Sequence, residues 1–440
     1  MDEKKVRVGL AGYGTVGCGV AKIILEQADS IAAKTGIRLE LGCVVDLDTE
    51  SKRPVELPKG LLCDDINCIL NDDTIGIGVE LIGGTGAAKD LQLAMLKAGK
   101  DVVTANKALL AEYGEELFGC ARENGRCIAF EASCAGGIPI VSAIRSGLTA
   151  NRIESMYGIV NGTCNYILSN MTSKGIGFEE ALLAAQQLGY AEADPTLDIN
   201  GGDSAHKLAI LASLALGCQI HLDDIYVEGI EGISRDDIHY GGEMGYCLKL
   251  LAICDHTEDG KVSLRVHPSF ISKDDSLANV NGAFNAVSIF GNAVGELTFY
   301  GRGAGMMATA SAVVADIIDV AIGNSRAAFE SLNMRSHEEI KDDIVGIGES
   351  VSRFYVRLMV KDQPGVFSQI ATILSENSIS ISGILQHEGE GPDNTVPVVM
   401  TTHPTRQSKV SAAIESLDGL DTVCSEPVCI RIVDIPEDKD

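Results

Sequence analysis

Residues 6–20 read VRVGLAGYGTVGCGV, and their order of short apolar strand, glycine turn and helix start decides the fold. Val6 to Leu10 is the strand, and AKIILEQ carries the chain on with helical spacing of Val20, Ile23 and Ile24. Between them Gly12, Gly14 and Gly17 form G-x-G-x-x-G, a weak motif alone and an informative one in this strand-to-helix setting. The first glycine permits the tight turn and the second lets a pyrophosphate reach backbone N–H groups. The third allows close packing at the anion-attracting helix N-terminus. An unoccupied turn is the other reading.

Moving outward, a second strand, Leu39 to Val45, ends at Asp46, where a carboxylate can accept hydrogen bonds from an adenosine ribose. An acid there repels a 2′-phosphate and favours NAD over NADP, while Lys52 and Arg53 bring opposing positive charge. Further strands at Val79 to Ile82 and Asp101 to Thr104 alternate with helical stretches at Asp90 to Ala98 and Lys107 to Glu123. That alternation predicts a doubly wound parallel sheet of the Rossmann type over residues 1–140. The glycine loop GRGAG and the helix after it, near 305–325, are expected to return the chain to this first domain.

Residues 141–325 change texture, with Gly-, Ser- and Asn-rich segments followed by a strong helix from Ser204 to Leu216, and predict an α+β substrate domain. After that helix the pattern is less regular to about residue 300. The polar stretch 326–350 reads as a linker. From 351 to 440 the order strand, helix, strand, strand, helix, strand predicts a ferredoxin-like module.

The chain has 440 residues and a formal charge of −27, which repels nucleic acid and anionic membranes. Its longest uncharged run, Leu277 to Gly295, contains Asn279, Asn281, Asn285 and Asn292, so no membrane span is expected. Charged residues run directly into the first strand with no export signal, and 13 cysteines fall singly, never as C-x-x-C. Buried thiols in a reducing cytoplasm are expected. The eight histidines show no paired-ligand spacing, so a transition-metal site is not expected, whereas backbone carbonyls remain able to hold a hard cation.

Three groups of residues carry chemistry. Lys107, in TANK, follows a strand's carboxyl end, where ligands collect in open α/β sheets; the other reading is a solvated helix start. Glu192, Asp194, Asp198, Asp203 and Lys207 crowd one loop and the helix after it, with Asp203 and Lys207 on one face. Either they make a surface ion pair or a partly desolvated lysine is tuned for proton transfer. Cys134, in EASCAGG, is either an aldehyde-attacking thiolate or a small buried thiol.

Together GYGTVG, LIGG, VVTANKALLAEYGEEL, FEASCAGGIPI, GIVNGTCNYIL, LGYAEADPTLDINGGDSAHKLAILA and FYGRGAG resemble the homoserine dehydrogenase family with a C-terminal ACT domain, over nearly the whole chain. The DQPG segment, Asp362 to Gly365, is similar to the ACT signature loop. The resemblance implies reversible, NAD- or NADP-dependent interconversion of L-aspartate 4-semialdehyde and L-homoserine. It makes Lys207 and Lys107 the candidates for proton transfer and carbonyl orientation, with either able to move the proton, pairs Asp203 with substrate or Lys207, and sets Glu192, Asp198, Gly162 and Thr163 around the substrate. Gly12, Gly14, Thr15, Val16, Gly17, Asp46, Thr85, Lys107 and Gly303 fall at cofactor positions. A monovalent cation such as sodium falls to Glu131, Cys134, Gly136 and Ile138, mainly through main-chain carbonyls. A homodimer or homotetramer is implied as well, with the ACT domain either binding an amino-acid effector, threonine, or serving assembly alone. Met306, Met307 and Ala308 depart from the family's usual Gly and Pro, GGTGAAKD lacks its proline turn, and Cys134 and Cys164 stand for the more usual Val and Thr. Two rival readings are an acylating aldehyde dehydrogenase using Cys134 and an amino-acid sensor that has lost turnover.

Overall fold

The computed structural model describes residues 4–332, 334–387 and 395–436. Its first layer is a parallel sheet built from β1 (Lys4–Ala11), β2 (Ile37–Val45), β3 (Leu62–Cys63), β4 (Ile75–Glu80), β5 (Asp101–Thr104) and β6 (Ile128–Ala129). The spatial order is β3-β2-β1-β4-β5-β6, so the chain reverses direction of travel across the sheet at β1. Val8 and Leu10 of β1 are fully buried, and the helix Thr15–Thr35, which packs along β2, buries Val20, Ile23 and Ile24. β4 starts earlier than its apolar run and stops at Glu80 rather than Ile82. Gly76 and Gly78 hide its first half in the sequence, and Gly78 is required by packing, because a Cβ there would lie 2.2 Å from Met95 Sδ.

The helix Met306–Ile322 lies against the helix Thr15–Thr35. A Cβ on Gly19 would come within 2.7 Å of the Met306 carbonyl. Lys4 Nζ also donates to the Ala321 carbonyl at 3.1 Å, tying the far end of this helix to β1.

The second layer is a mixed sheet. It contains β7 (Ile153–Ile159), β8 (Tyr226–Val227), β9 (Tyr246–His256), β10 (Val262–Ser272), β11 (Phe284–Gly291) and β12 (Gly295–Arg302). The region after residue 216 that looks irregular in the sequence holds its two longest strands, β9 and β10. Almost every central residue of both is buried, including Arg265, His267 and Ser269, so the alternation that marks a half-exposed strand is missing.

The chain then forms β13 (Ile344–Val345), β14 (Val351–Lys361), β15 (Ile381–Leu385), β16 (Thr395–Thr402), β17 (Thr405–Arg406) and β18 (Val428–Ile432), with helices Val366–Glu376 and Gln407–Asp418. In this C-terminal module the order β18-β14-β16-β15 is the ferredoxin-like arrangement. β18 pairs in parallel with β10, Ser269 against Arg431 and Phe270 against Ile432, so one 12-stranded sheet runs through both regions. The stretch read as a linker is packed at both ends: Arg326 pairs with Asp101 at 2.7 Å, Phe329 is buried, Arg335 N–H donates to the Gly217 carbonyl, Ile340 is buried, and β13 pairs with β10. His337 stacks on His221 and reaches Asp224 at 2.9 Å. These contacts join distant segments and leave no periodic trace. Among the described residues no single helix is long and apolar enough to cross a membrane.

Candidate active site

At the carboxyl ends of β1 and β2 the glycine turn is shaped by steric need. Gly12 has φ +98°, and a Cβ there would lie 2.6 Å from the Leu81 carbonyl; one on Gly17 would lie 2.0 Å from the Gly12 carbonyl. A Cβ on Gly14 would meet nothing, so open space faces the helix start at Thr15, whose N-cap, Gly14 itself, contributes no side-chain hydrogen bond. Val16 and Gly17 complete the first turn. Uncapped N–H groups beside a void fit a pyrophosphate. Asp46 accepts from Tyr13 N at 2.6 Å and from Asp48 N at 2.9 Å, with Arg53 at 3.6 Å. Lys52 is exposed.

Beyond β4, the residue that organises the turn bearing Thr85 is Glu80, which the sequence reading missed. Its buried carboxylate accepts from Ile82 N and Gly83 N at 2.9 and 3.1 Å, and from Gln92 Nε2 and Thr104 Oγ1, both at 2.8 Å. Asn106 caps the helix Lys107–Glu123 by accepting from Leu109 N, and donates to the Gly84 carbonyl at 2.7 Å. The TANK segment is thereby tied to the turn bearing Thr85, and Lys107 opens its helix facing the second layer.

There the helix Gly202–Leu216 presents Asp203 and Lys207. Asp203 Oδ2 lies 2.6 Å from Lys207 Nζ, and Asp203 Oδ1 lies 3.0 Å from Lys107 Nζ. Side-chain exposures of 5% for Asp203 and 11% for Lys207 make this a buried ion pair rather than a surface one. Burial opposes ionisation of Asp203, yet the Lys207 and Lys107 ammonium groups outweigh it and hold the carboxyl well below its ordinary range. The Asp203 carboxylate in turn raises the Lys107 ammonium above its usual value, against the effect of burial. Lys207 Nζ also donates to the Val160 carbonyl at 2.7 Å.

Asn161, quoted within GIVNGTCNYIL but not singled out, joins these groups. Its Oδ1 accepts from Cys164 N at 2.8 Å, capping the helix Gly162–Lys174, and its Nδ2 donates to Asp198 Oδ1 at 2.7 Å and Asp203 Oδ2 at 2.8 Å. Burial raises the Asp198 carboxyl, and the bond from Asn161 partly offsets this. Gly162 and Thr163 follow directly, Thr163 Oγ1 donating to the Tyr190 carbonyl at 2.7 Å. Lys107, Asp198, Asp203 and Lys207 are therefore brought together. Glu192 lies on an exposed loop and, among the described residues, its side chain makes no bond to this network.

The loop Glu131–Ile138 lies behind the lysines. Both Glu131 carboxylate oxygens are engaged at 2.8 Å by N–H groups of Val141 and Ser142. Ala135 and Gly136 have φ of 51° and 43°, and a Cβ on Gly136 would sit 2.3 Å from the Gly303 carbonyl, so only glycine lets the two loops touch. Ile138 N–H is bonded within the loop, to Ala135. Cys134 is fully buried, and burial pushes its thiol up to about 12, which leaves no thiolate for nucleophilic attack on an aldehyde. Cys164 is also buried, its thiol donating to the Asp198 carbonyl at 3.1 Å.

A glycine cradle at the carboxyl ends of a parallel sheet, two lysines bracketing a buried carboxylate, and a ferredoxin-like module on the second sheet define a nucleotide-dependent oxidoreductase with an appended ferredoxin-like domain. Comparison with known proteins narrows the class. Family models for "Homoserine dehydrogenase, NAD binding domain", "Homoserine dehydrogenase" and "ACT domain" match residues 12–131, 139–318 and 354–421. Homoserine dehydrogenase of Pseudomonas aeruginosa is 44% identical over 98% of this chain and 99% of its own. The crystal structure of a homoserine dehydrogenase from Thiobacillus denitrificans is 40% identical, covers 98% of this chain and 99% of its own, and superposes with a TM-score of 0.89. A hyperthermophilic archaeal homoserine dehydrogenase mutant in complex with NADPH covers 72% of this chain and 98% of its own, at 27% identity and a TM-score of 0.58. The chain belongs to the homoserine dehydrogenase family and is an oxidoreductase with an NAD(P)-binding domain and a C-terminal ACT domain.

Proposed function

We propose that the chain interconverts L-aspartate 4-semialdehyde and L-homoserine, with Lys207 as the proton-transferring residue and Lys107 as the group that orients the carbonyl. The bound nicotinamide supplies or accepts the hydride. The observation that carries this reading is Asp203 held between the two lysines, at 2.6 and 3.0 Å, where the two layers meet. An ammonium has three N–H donors, and Lys207 uses two on Val160 and Asp203, which leaves a third for a substrate oxygen.

In the reducing direction the carbonyl carbon gains a hydride and its oxygen takes the former π pair. Lys207 gives that oxygen a proton, while the Lys107 charge stabilises the anion as it forms. In the oxidising direction a neutral Lys207 amine takes the hydroxyl proton as the hydride leaves carbon. Asp203 fixes both lysines and balances their charge. Asp198 is assigned to the substrate ammonium, beside Gly162 and Thr163, and Glu192 is assigned to the same ammonium from the exposed loop.

Gly12, Gly14, Thr15, Val16 and Gly17 are assigned to the pyrophosphate, and Thr85, Lys107 and Gly303 to the nicotinamide end. Asp46 is assigned to the ribose with NAD preferred over NADP, a reading supported by Arg53 already facing both Asp46 and Asp48. A sodium-class cation is assigned to the carbonyls of Glu131, Cys134, Gly136 and Ile138. Threonine acting at the ACT domain near Asp362–Gly365, and assembly as a homodimer or homotetramer, complete the proposal; the exposed Tyr300 on edge strand β12 and Ile384 on edge strand β15 favour an assembled state.

The test is homoserine-dependent reduction of NAD and of NADP by the purified chain at alkaline pH, read by nicotinamide absorbance. Turnover with either cofactor is expected, and a higher kcat/KM with NAD. Silence with both, in this direction and with the semialdehyde, would overturn the reading, and equal kcat/KM would remove the NAD preference.

A further inference from the structure

We propose that Cys43, Cys63 and Cys68 form a three-thiolate site for one thiophilic metal ion of the zinc class at the outer edge of the nucleotide-binding sheet. Three different elements supply the ligands: β2 carries Cys43, β3 carries Cys63, and the short helix Asn67–Leu70 carries Cys68. Their sulfur atoms all lie within 4.8 Å of one another, and Cys43 Sγ is 3.4 Å from Cys63 Sγ. An ion with bonds of about 2.3 Å to tetrahedral thiolates sets sulfurs roughly 3.8 Å apart, so the three thiols bracket the required spacing. Among the described residues this is the one cluster of His, Cys, Asp or Glu with such convergence.

The gradient of burial suits a three-coordinate ion with one open position. Cys43 is buried, Cys63 half-buried and Cys68 exposed, so the ion enters from the Cys68 side and a water completes its shell. Binding exchanges three S–H bonds for three metal–sulfur bonds and releases three protons to solvent. A disulfide would instead use two of the thiols, need an external oxidant and leave the placement of Cys68 without a role.

The site's position connects it to the cofactor. Asp46 N–H donates to the Cys63 carbonyl at 3.0 Å, and Val44 N–H donates to the Leu61 carbonyl at 2.9 Å. Metal binding would therefore clamp β3 onto β2 just before Asp46, which itself receives Tyr13 N–H from the glycine turn. The loop 47–61 between the two strands, which includes Arg53, would be closed at its base.

The experiment uses the full chain, reduced and stripped with a chelator without air, and titrated with Cd²⁺ as an optical probe and Zn²⁺ as its competitor. One Cd²⁺ per chain with a thiolate-to-metal charge-transfer band is expected, displaced by Zn²⁺. Cys63→Ser and Cys68→Ser should each weaken uptake at least about tenfold. Cys424→Ser, at an exposed cysteine of the C-terminal module, should leave it unchanged. Cys68 is exposed, so its substitution tests the site without burdening the fold. No band in the reduced chain, or a band that survives both Cys63→Ser and Cys68→Ser, would overturn the proposal. So would a reduced chain that takes up no Cd²⁺ but on exposure to air loses two hydrogens and links Cys43 to Cys63.

Discussion

Lys207 illustrates how much one side chain's surroundings decide. Its position four residues after Asp203 is visible in the sequence, but helix spacing alone fits an exposed pair worth about 0.5 kcal/mol. Burial, the Val160 carbonyl and Lys107 on the far side of Asp203 turn the same spacing into a buried, charge-balanced cluster, on which the proposed proton transfer rests. Lys207→Ala is expected to lower kcat by roughly 10²-fold or more while NAD affinity, read by nicotinamide fluorescence, is kept. A variant retaining a tenth of the rate would remove the proton-transfer role. Cys134 gives the opposite case. Its motif invites a nucleophile, whereas its burial and its thiol near 12 make it a packing residue. Cys134→Val is a volume-conserving change and should keep turnover within about tenfold, since such swaps usually cost under about 1.5 kcal/mol; a variant that folds but does not turn over would restore the acylating reading.

At the scale of elements, the helix Met306–Ile322 matters because it closes over the first layer. Its Asp316 accepts from Glu131 N–H at 2.7 Å, and burial raises its carboxyl to about 8, with Glu131 and Asp319 adding to the shift and Arg145 opposing it. In the unfolded chain this carboxyl ionises near pH ~4. The folded form therefore holds an extra proton at this group between those values, and the group's contribution to stability should fall as pH rises from about 4 towards about 8. Asp316→Asn keeps the acceptor and removes the titration, so the slope of Tm against pH over that window should flatten; an unchanged slope would contradict the assignment. Asn161 is the other controlling element end, a helix cap that also serves two carboxylates. Asn161→Ala should cost about 1 kcal/mol as a lost cap. It should also lower kcat/KM for homoserine, with cofactor affinity unaltered; steady-state kinetics beside direct cofactor titration would separate the two effects.

For the whole molecule, the C-terminal module is joined to the rest by more than a tether. β18 extends the second sheet, and Asp237, fully buried on the helix Arg235–Glu243, receives Arg357 Nε at 2.6 Å and Tyr355 Oη at 3.0 Å from β14. Removing one partner of such a pair strands the other charge in the interior, at a cost of about 3–5 kcal/mol. Arg357→Leu is expected to lower Tm sharply and to weaken any response to threonine, and adding Asp237→Asn should restore much of the Tm. Additive losses in this double-mutant cycle would show that the contact does not couple the module to the core. Deleting residues 350–440 would likewise uncover β10 and strip Asp237 of its Arg357 and Tyr355 partners, so loss of threonine response in that truncated chain has to be judged beside its Tm.

What the sequence determined by itself is local. The strand, glycine turn and helix at residues 6–20, the alternation that follows and the six-element order of the last module are periodic, because each buries one face against its neighbours, and Asp198, Asp203 and Lys207 are written in order along one segment. Tertiary structure alone decided three things. It set β9 and β10 as central strands, where burial on both faces erases the alternation. It brought Lys107, Asn161 and Asp203 into contact across two layers, and it gathered three cysteines 20 and five residues apart into one cluster although none lies in a C-x-x-C pair. Such contacts depend on where sheet edges and helix ends meet in space, and spacing along the chain carries no record of that distance.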